Sequence, residues 1–187
     1  LAVAFSLAYT WEDLGPAGRL MVGYGAGLLF LASGAPASGR AEKWFGEGLT
    51  GAGLAILYLS TWAGAERYGV FPRDSAFLLM ALITAAGVAM AIRCDSQSVC
   101  VLSTLGGFLT PSILTAEGGG ANDAFPLLAY VAVLNAGVLA VSLFKRWRGV
   151  VLLSFAGTVL LTGGWAMESY SEPHRWLVFG FFTLYFL

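Results

Sequence analysis

The positions of Asp, Glu, Lys and Arg divide the chain into eight stretches that carry no charge: 1–11, 20–39, 48–65, 75–92, 96–116, 124–144, 149–167 and 176–187. The six internal stretches are 18 to 21 residues long. About 20 helical residues at ~1.5 Å each cross a hydrocarbon layer ~30 Å thick, so each stretch has the length of one membrane-spanning helix. A charge at the centre of such a helix costs ~2.5–3.5 kcal/mol on insertion scales, which explains why every charge falls in the short segments between stretches. The pattern predicts an all-α fold, a polytopic transmembrane helix bundle of about six complete spans with a partial span at each end. Residues 1–187 then form a single transmembrane helical region, and the cut stretches at both ends make the chain read as a fragment of a longer membrane protein.

The connecting segments suit helical hairpins. Gly15-Pro16 puts proline in the first turn of the second stretch, where its missing N–H costs nothing, and Arg19 is near enough to reach the headgroups. Arg93 closes the fourth stretch, where a cation suits the helix dipole, and Asp95 or Ser96 caps the fifth. Trp11, Trp44, Trp147, Trp165 and Trp176 fall near stretch ends, as interfacial aromatics do.

Composition agrees with this reading. The chain is 58% hydrophobic and 11% charged, against about 25% charged in a soluble domain, so it lacks the polar groups to cover a water-facing surface. Its net charge of −1 and the absence of any basic run longer than Lys145-Arg146 exclude the electrostatic footprint of a nucleic-acid binder. Twenty-five glycines point to close helix–helix packing rather than loops in so apolar a chain. The six-residue spacing of Cys94 and Cys100 would put them on different faces of a helix, and with a single histidine, His174, and no CxxC there is no metal-ligand set.

Orientation is left open by the Lys/Arg distribution. With the intervening segments numbered from the N-terminus, Arg40, Lys43, Arg93, Lys145, Arg146 and Arg148 occupy even segments, and Arg19, Arg67, Arg73 and Arg175 odd ones. Simple alternation favours the even segments on the cytoplasmic side. Were the fifth stretch re-entrant, every later segment would change side and the balance would reverse.

Two motifs carry candidate chemistry. Gly46-Glu47-Gly48-Leu49-Thr50-Gly51 matches GxGxxG, a dinucleotide fingerprint only after a strand and within a βαβ unit. Here it opens a membrane span, where small residues bring helices together, as do Gly23 and Gly27. The fifth stretch is the more unusual: in Gly106-Gly107-Phe108-Leu109-Thr110-Pro111 the glycine pair and proline weaken a helix and free backbone carbonyls. Broken helices of this kind line substrate and ion sites in transporters, and proline kinks also serve plain packing. Gly106, Gly107, Phe108, Thr110, Pro111 and the mid-span Asn135 are therefore the candidate ligand or packing site. Arg19, Arg93, Asp95 and Gln97 are the candidate interfacial polar residues. Ser60, Thr61, Thr84, Ser142, Ser154, Thr158 and Thr162 can bond their own helix carbonyls, so they carry little information. No catalytic set stands out: His174 has no serine partner, and Glu12, Asp13, Glu168 and Glu172 lie at predicted interfaces.

The order of segments resembles a known family. Gly15-Pro16-Ala17-Gly18-Arg19 opens one span, Gly51-Ala52-Gly53-Leu54-Ala55-Ile56-Leu57-Tyr58-Leu59 lies in the next, and Asp95-Ser96-Gln97 leads into Leu105-Gly106-Gly107-Phe108-Leu109-Thr110-Pro111. Together these look like the domain-of-unknown-function 2339 family of bacterial membrane proteins, over roughly residues 1–165, with Cys94 and Cys100 outside the pattern. The resemblance implies a bacterial cytoplasmic (inner) membrane protein and brings no catalytic residue or cofactor with it. Three functions remain: transport or small-molecule or lipid binding around a broken fifth span, a structural or assembly role through glycine-rich helix contacts, or an enzyme acting on lipid-linked substrates. The expected partners are the lipid bilayer and a second copy or another membrane protein, with no nucleic acid.

Overall fold

A computed structural model describes residues 14–37, 43–115, 124–169, 180 and 183. Its regular elements are all helical: α1 (Pro16–Ala37), α2 (Lys43–Trp62) prolonged by a π-helical turn (Ala63–Arg67), α3 (Arg73–Arg93), α4 (Gln97–Thr115), α5 (Ala124–Phe144) and α6 (Arg148–Ser169). The chain forms two compact units, Leu1–Ile83 and Thr84–Leu187, with the boundary inside α3.

In the first unit α1 and α2 form an antiparallel hairpin packed through glycine. A Cβ on Gly53 would stand 2.8 Å from the Gly27 carbonyl oxygen and 2.9 Å from the Leu31 amide nitrogen. One on Gly34 would stand 2.9 Å from the Gly46 oxygen. Backbone thus meets backbone along the seam, the approach that small residues permit and that favours Cα–H···O contacts. Gly46 and Gly53 are buried at this seam, whereas Gly48 faces open space. The GxGxxG run therefore lies inside a helix, where Gly46, Thr50 and Gly51 are its buried members. Near the seam's other end the Tyr24 and Thr61 hydroxyls are 2.9 Å apart.

The exit from α2 is wider than an α-turn because the Tyr68 amide bonds the Ala63 carbonyl, five residues back, at 2.9 Å. Gly69 then takes φ +58° to turn the chain, and the Phe71 ring folds onto Gly64, which has no side chain to obstruct it. Arg73 closes the turn with two bonds to Glu66, Nε to Oε1 at 2.8 Å and Nη2 to Oε2 at 3.0 Å. Arg19 lies 5.9 Å from the centroid of the Tyr68 ring.

The second unit is an alternating bundle of the C-terminal part of α3 with α4, α5 and α6. Its α3–α4 corner is a Schellman turn: Ser96 N–H bonds Ala91 O at 3.0 Å, Asp95 N–H bonds Ile92 O at 3.4 Å, and Asp95 takes φ 49°. Of the two caps open from the sequence, Ser96 is the one used, its Oγ accepting from the Val99 amide at 3.3 Å. Gly149 faces Gln97 and Gly157 faces Phe108, so α4 and α6 run in the same direction. The end of α5 returns to the start of α4, where Lys145 Nζ and Asp95 Oδ1 pair at 2.7 Å. A re-entrant α4 would have put residues 145–147 at the opposite end of this bundle.

Three described helical segments, Arg73–Arg93, Leu127–Phe144 and Arg148–Trp165, are long and apolar enough to cross a membrane, against the six complete spans expected. Arg19 lies within α1, and Lys43 and Glu47 within α2, and glycine takes the place of apolar side chains in both. Hydroxyl side chains share the interior with apolar ones such as Leu54, Met80, Leu128 and Val131. Thr50, Thr61, Thr84, Ser103, Thr104, Thr110, Ser154 and Thr162 are buried, while Leu143, Phe144, Leu152, Leu160 and Met167 are exposed. Large apolar side chains exposed on the outside and hydroxyl side chains admitted to the interior are the arrangement that lipid solvent favours.

Candidate functional site

The glycine-proline stretch does not break α4. The helix continues through it to Thr115 with Pro111 inside, about 28 Å of continuous helix at the usual rise. The expected broken span is corrected to an intact one, and the bonding explains why. Proline at 111 has no N–H for the carbonyl four residues back, that of Gly107, and its ring pushes that carbonyl outward. Tyr130 of α5 supplies the missing donor, its buried hydroxyl bonding Gly107 O at 2.9 Å. Thr110 Oγ1 donates to Gly106 O at 2.9 Å. The carbonyl freed by proline is thus held by the neighbouring helix.

Gly107 serves this contact a second time. A Cβ there would lie 2.9 Å from Thr84 Cγ2 and 3.1 Å from Leu134 Cδ2, so only glycine lets α3 and α5 close on α4 at this height. One residue on, the Phe108 ring rests on Gly157 of α6, whose added Cβ would meet Phe108 Cγ at 2.7 Å. Phe108, Thr110 and Pro111 are buried, and Gly106 is half-buried.

Asn135 lies on α5, next to Leu134, and reaches α6. Its Nδ2 donates to Thr158 Oγ1 at 2.9 Å, and its Oδ1 accepts from Ser154 Oγ and, at 3.1 Å, from Thr158 Oγ1. These bonds flank Gly157, so the Phe108 contact and the Asn135 cluster occupy one seam between α4, α5 and α6. Ser154 and Thr158, which could have bonded their own helix, are cross-helix partners, whereas Thr61, Ser142 and Thr162 do bond their own helices. Among the described residues every buried side-chain nitrogen and oxygen has a partner, and no group of three His, Cys, Asp or Glu is placed to hold a metal ion.

The interfacial candidates separate. Arg93, Asp95 and Gln97 gather at the α3–α4 corner beside Lys145, with Lys145 Nζ also 6.0 Å from the centroid of the Trp147 ring. Arg19 belongs to the first unit. Glu12, Asp13, Glu172 and His174 lie outside the described residues, and of Glu168 only its place near the end of α6 is described.

A chain with apolar side chains outward, cross-helix polar bonds inward and long apolar helices is built for lipid, and one comparison agrees. The family described as "Predicted membrane protein (DUF2339)" matches residues 1–187, the whole chain. The chain belongs to this family. The DUF2339 match thus extends past the 1–165 carried by the sequence motifs. No curated protein and no solved structure matches the chain, so the DUF2339 assignment establishes a membrane protein and leaves its activity to be argued from the site.

Tyr130 is the residue that sequence reasoning missed in this DUF2339 bundle. Its signal was indirect: proline at 111 obliges some donor to serve Gly107, and Tyr130 is a hydroxyl on the following helix. Pairing the two required the register between α4 and α5.

Proposed function

We propose that this region is a multi-pass membrane scaffold, a structural or assembly module that holds a larger protein in a bacterial cytoplasmic membrane. The observation that carries the proposal is the Tyr130–Gly107 bond beside the Asn135–Ser154–Thr158 cluster. The polar groups that would make α4 a transport site are spent within α4, as Thr110 on Gly106 O, or on a neighbouring helix, as Gly107 O on Tyr130. Cross-helix bonds of this kind contribute ~0.6–2 kcal/mol each in a membrane.

A full crossing by α4 is part of the reading and is supported by its continuity and by the Asp95–Lys145 pair. With α4 crossing, the even segments hold six Lys and Arg, among them Arg93, Lys145, Arg146 and Arg148, and the odd segments four, Arg19, Arg67, Arg73 and Arg175. That excess argues for a cytoplasmic α3–α4 corner. In this reading the charge-free stretches of α1, α2 and α4 cross too, giving six complete spans, and the glycine faces serve a second copy or another membrane protein.

Gly107→Leu in the full-length protein tests the proposal. A scaffold loses its folded state, because the new side chain meets Thr84 and Leu134. A transport site would instead leave a folded, inserted protein that has lost a cellular function. A strictly monomeric, partner-free full-length protein in mild detergent would also count against the scaffold.

A further inference from the structure

The Asp95–Lys145 pair joins two corners that are 50 residues apart in sequence, and with them it gathers three more cations at one end of the second unit. Arg93 follows from α3, Arg146 from the α5–α6 corner and Arg148 from the first turn of α6. All three are exposed, and among the described residues none of them is held in an ion pair. Among the described residues, four cations at this corner stand against the carboxylate of Asp95, which Lys145 already engages. Trp147, half-buried between them, is the residue type that settles at headgroup level. Within a turn of the cations the surface becomes apolar: Leu143 and Phe144 are 81% and 77% exposed at the end of α5, and Leu152 is 68% exposed on α6.

We infer that this corner is a binding surface for an anionic phospholipid, whose headgroup phosphate Arg93, Arg146 and Arg148 hold while its chains lie along Leu143, Phe144 and Leu152. Guanidinium forks suit phosphate oxygens, and juxtamembrane cations attract anionic lipid. An acidic protein segment would match the charge but not the apolar flank that begins directly below it. Lys145 is the positioning residue: its bond to Asp95 offsets that carboxylate and fixes the distance between the two loops.

The test uses the full-length protein in phosphatidylcholine bilayers doped with spin-labelled phosphatidylglycerol or spin-labelled phosphatidylcholine. The motionally restricted fraction of each label is read by electron paramagnetic resonance. Phosphatidylglycerol is expected to be restricted in preference, and rising salt should erode the preference. Each Arg→Gln change at 93, 146 and 148 should lower it by up to about fivefold, and the triple Arg→Lys variant should retain part of it. Equal restriction of the two labels in the unaltered protein overturns the inference. So does an undiminished preference in a triple Gln variant that melts with the parent. If the triple Gln variant does not fold, the salt titration of the unaltered protein decides: a preference indifferent to salt is not electrostatic, and the inference fails.

Discussion

Replacing Tyr130 by Phe removes one oxygen and leaves the ring, its packing and its burial in place. The oxygen lost is the donor to Gly107 O, and Pro111 removes the amide four residues on that would ordinarily serve that carbonyl. A buried acceptor without a partner costs about 1–3 kcal/mol, while cross-helix bonds in membranes average ~0.6 and reach ~1.7 kcal/mol. Loss of the usual helical amide at Pro111 places this bond toward the upper end, so Tyr130→Phe is expected to destabilise by about 1–2 kcal/mol. Pro111→Ala supplies the test of cause. It returns an N–H to position 111 and gives Gly107 O a helical partner, so loss of the Tyr130 hydroxyl should cost much less in that background. The two changes should therefore couple by about 1 kcal/mol, within the range seen for groups in direct contact. The hydroxyl also interacts with Thr110, but that loss is common to both backgrounds and cancels in the cycle. Four full-length proteins, the parent, each single variant and the double, would be unfolded reversibly in mild detergent against a denaturing one. An equal cost of Tyr130→Phe with and without Pro111 would refute the argument that proline made the carbonyl dependent on Tyr130.

Other consequences can be checked by the same unfolding measurement. Gly53→Ala should cost about 1–3 kcal/mol, because its Cβ meets the backbone of α1 rather than a side chain able to move; Gly48→Ala, facing open space, should be neutral or slightly stabilising. Asn135→Ala should cost about 1–2 kcal/mol, and the cost of Ser154→Ala should shrink once Asn135 is gone; independent, additive costs would mean that the cluster is not a unit. Glu66→Gln should cost less than about 1 kcal/mol, since Arg73 is 41% exposed and water screens the pair. A larger loss there would show that the bidentate geometry holds the π-turn itself.

Sequence alone determined the class of this protein. Charge-free stretches near 20 residues are dictated by the thickness of the hydrocarbon layer and the cost of a charge within it, and both act on each helix separately. The positions of the helices and the special standing of Gly106–Pro111 were legible for the same reason, since glycine and proline act on their own segment. Sequence also showed that Asn135 needed a partner in the span. What Gly107 and Asn135 do was decided by the tertiary structure. A freed carbonyl marks a ligand site if nothing reaches it and a packing contact if a neighbouring hydroxyl does, and the local sequence is identical in the two cases. Only the register of α5 and α6 against α4 puts Tyr130 on Gly107, seats Phe108 on Gly157 and brings Ser154 and Thr158 to Asn135. That register depends on shape complementarity between helices many residues apart, which no local periodicity encodes.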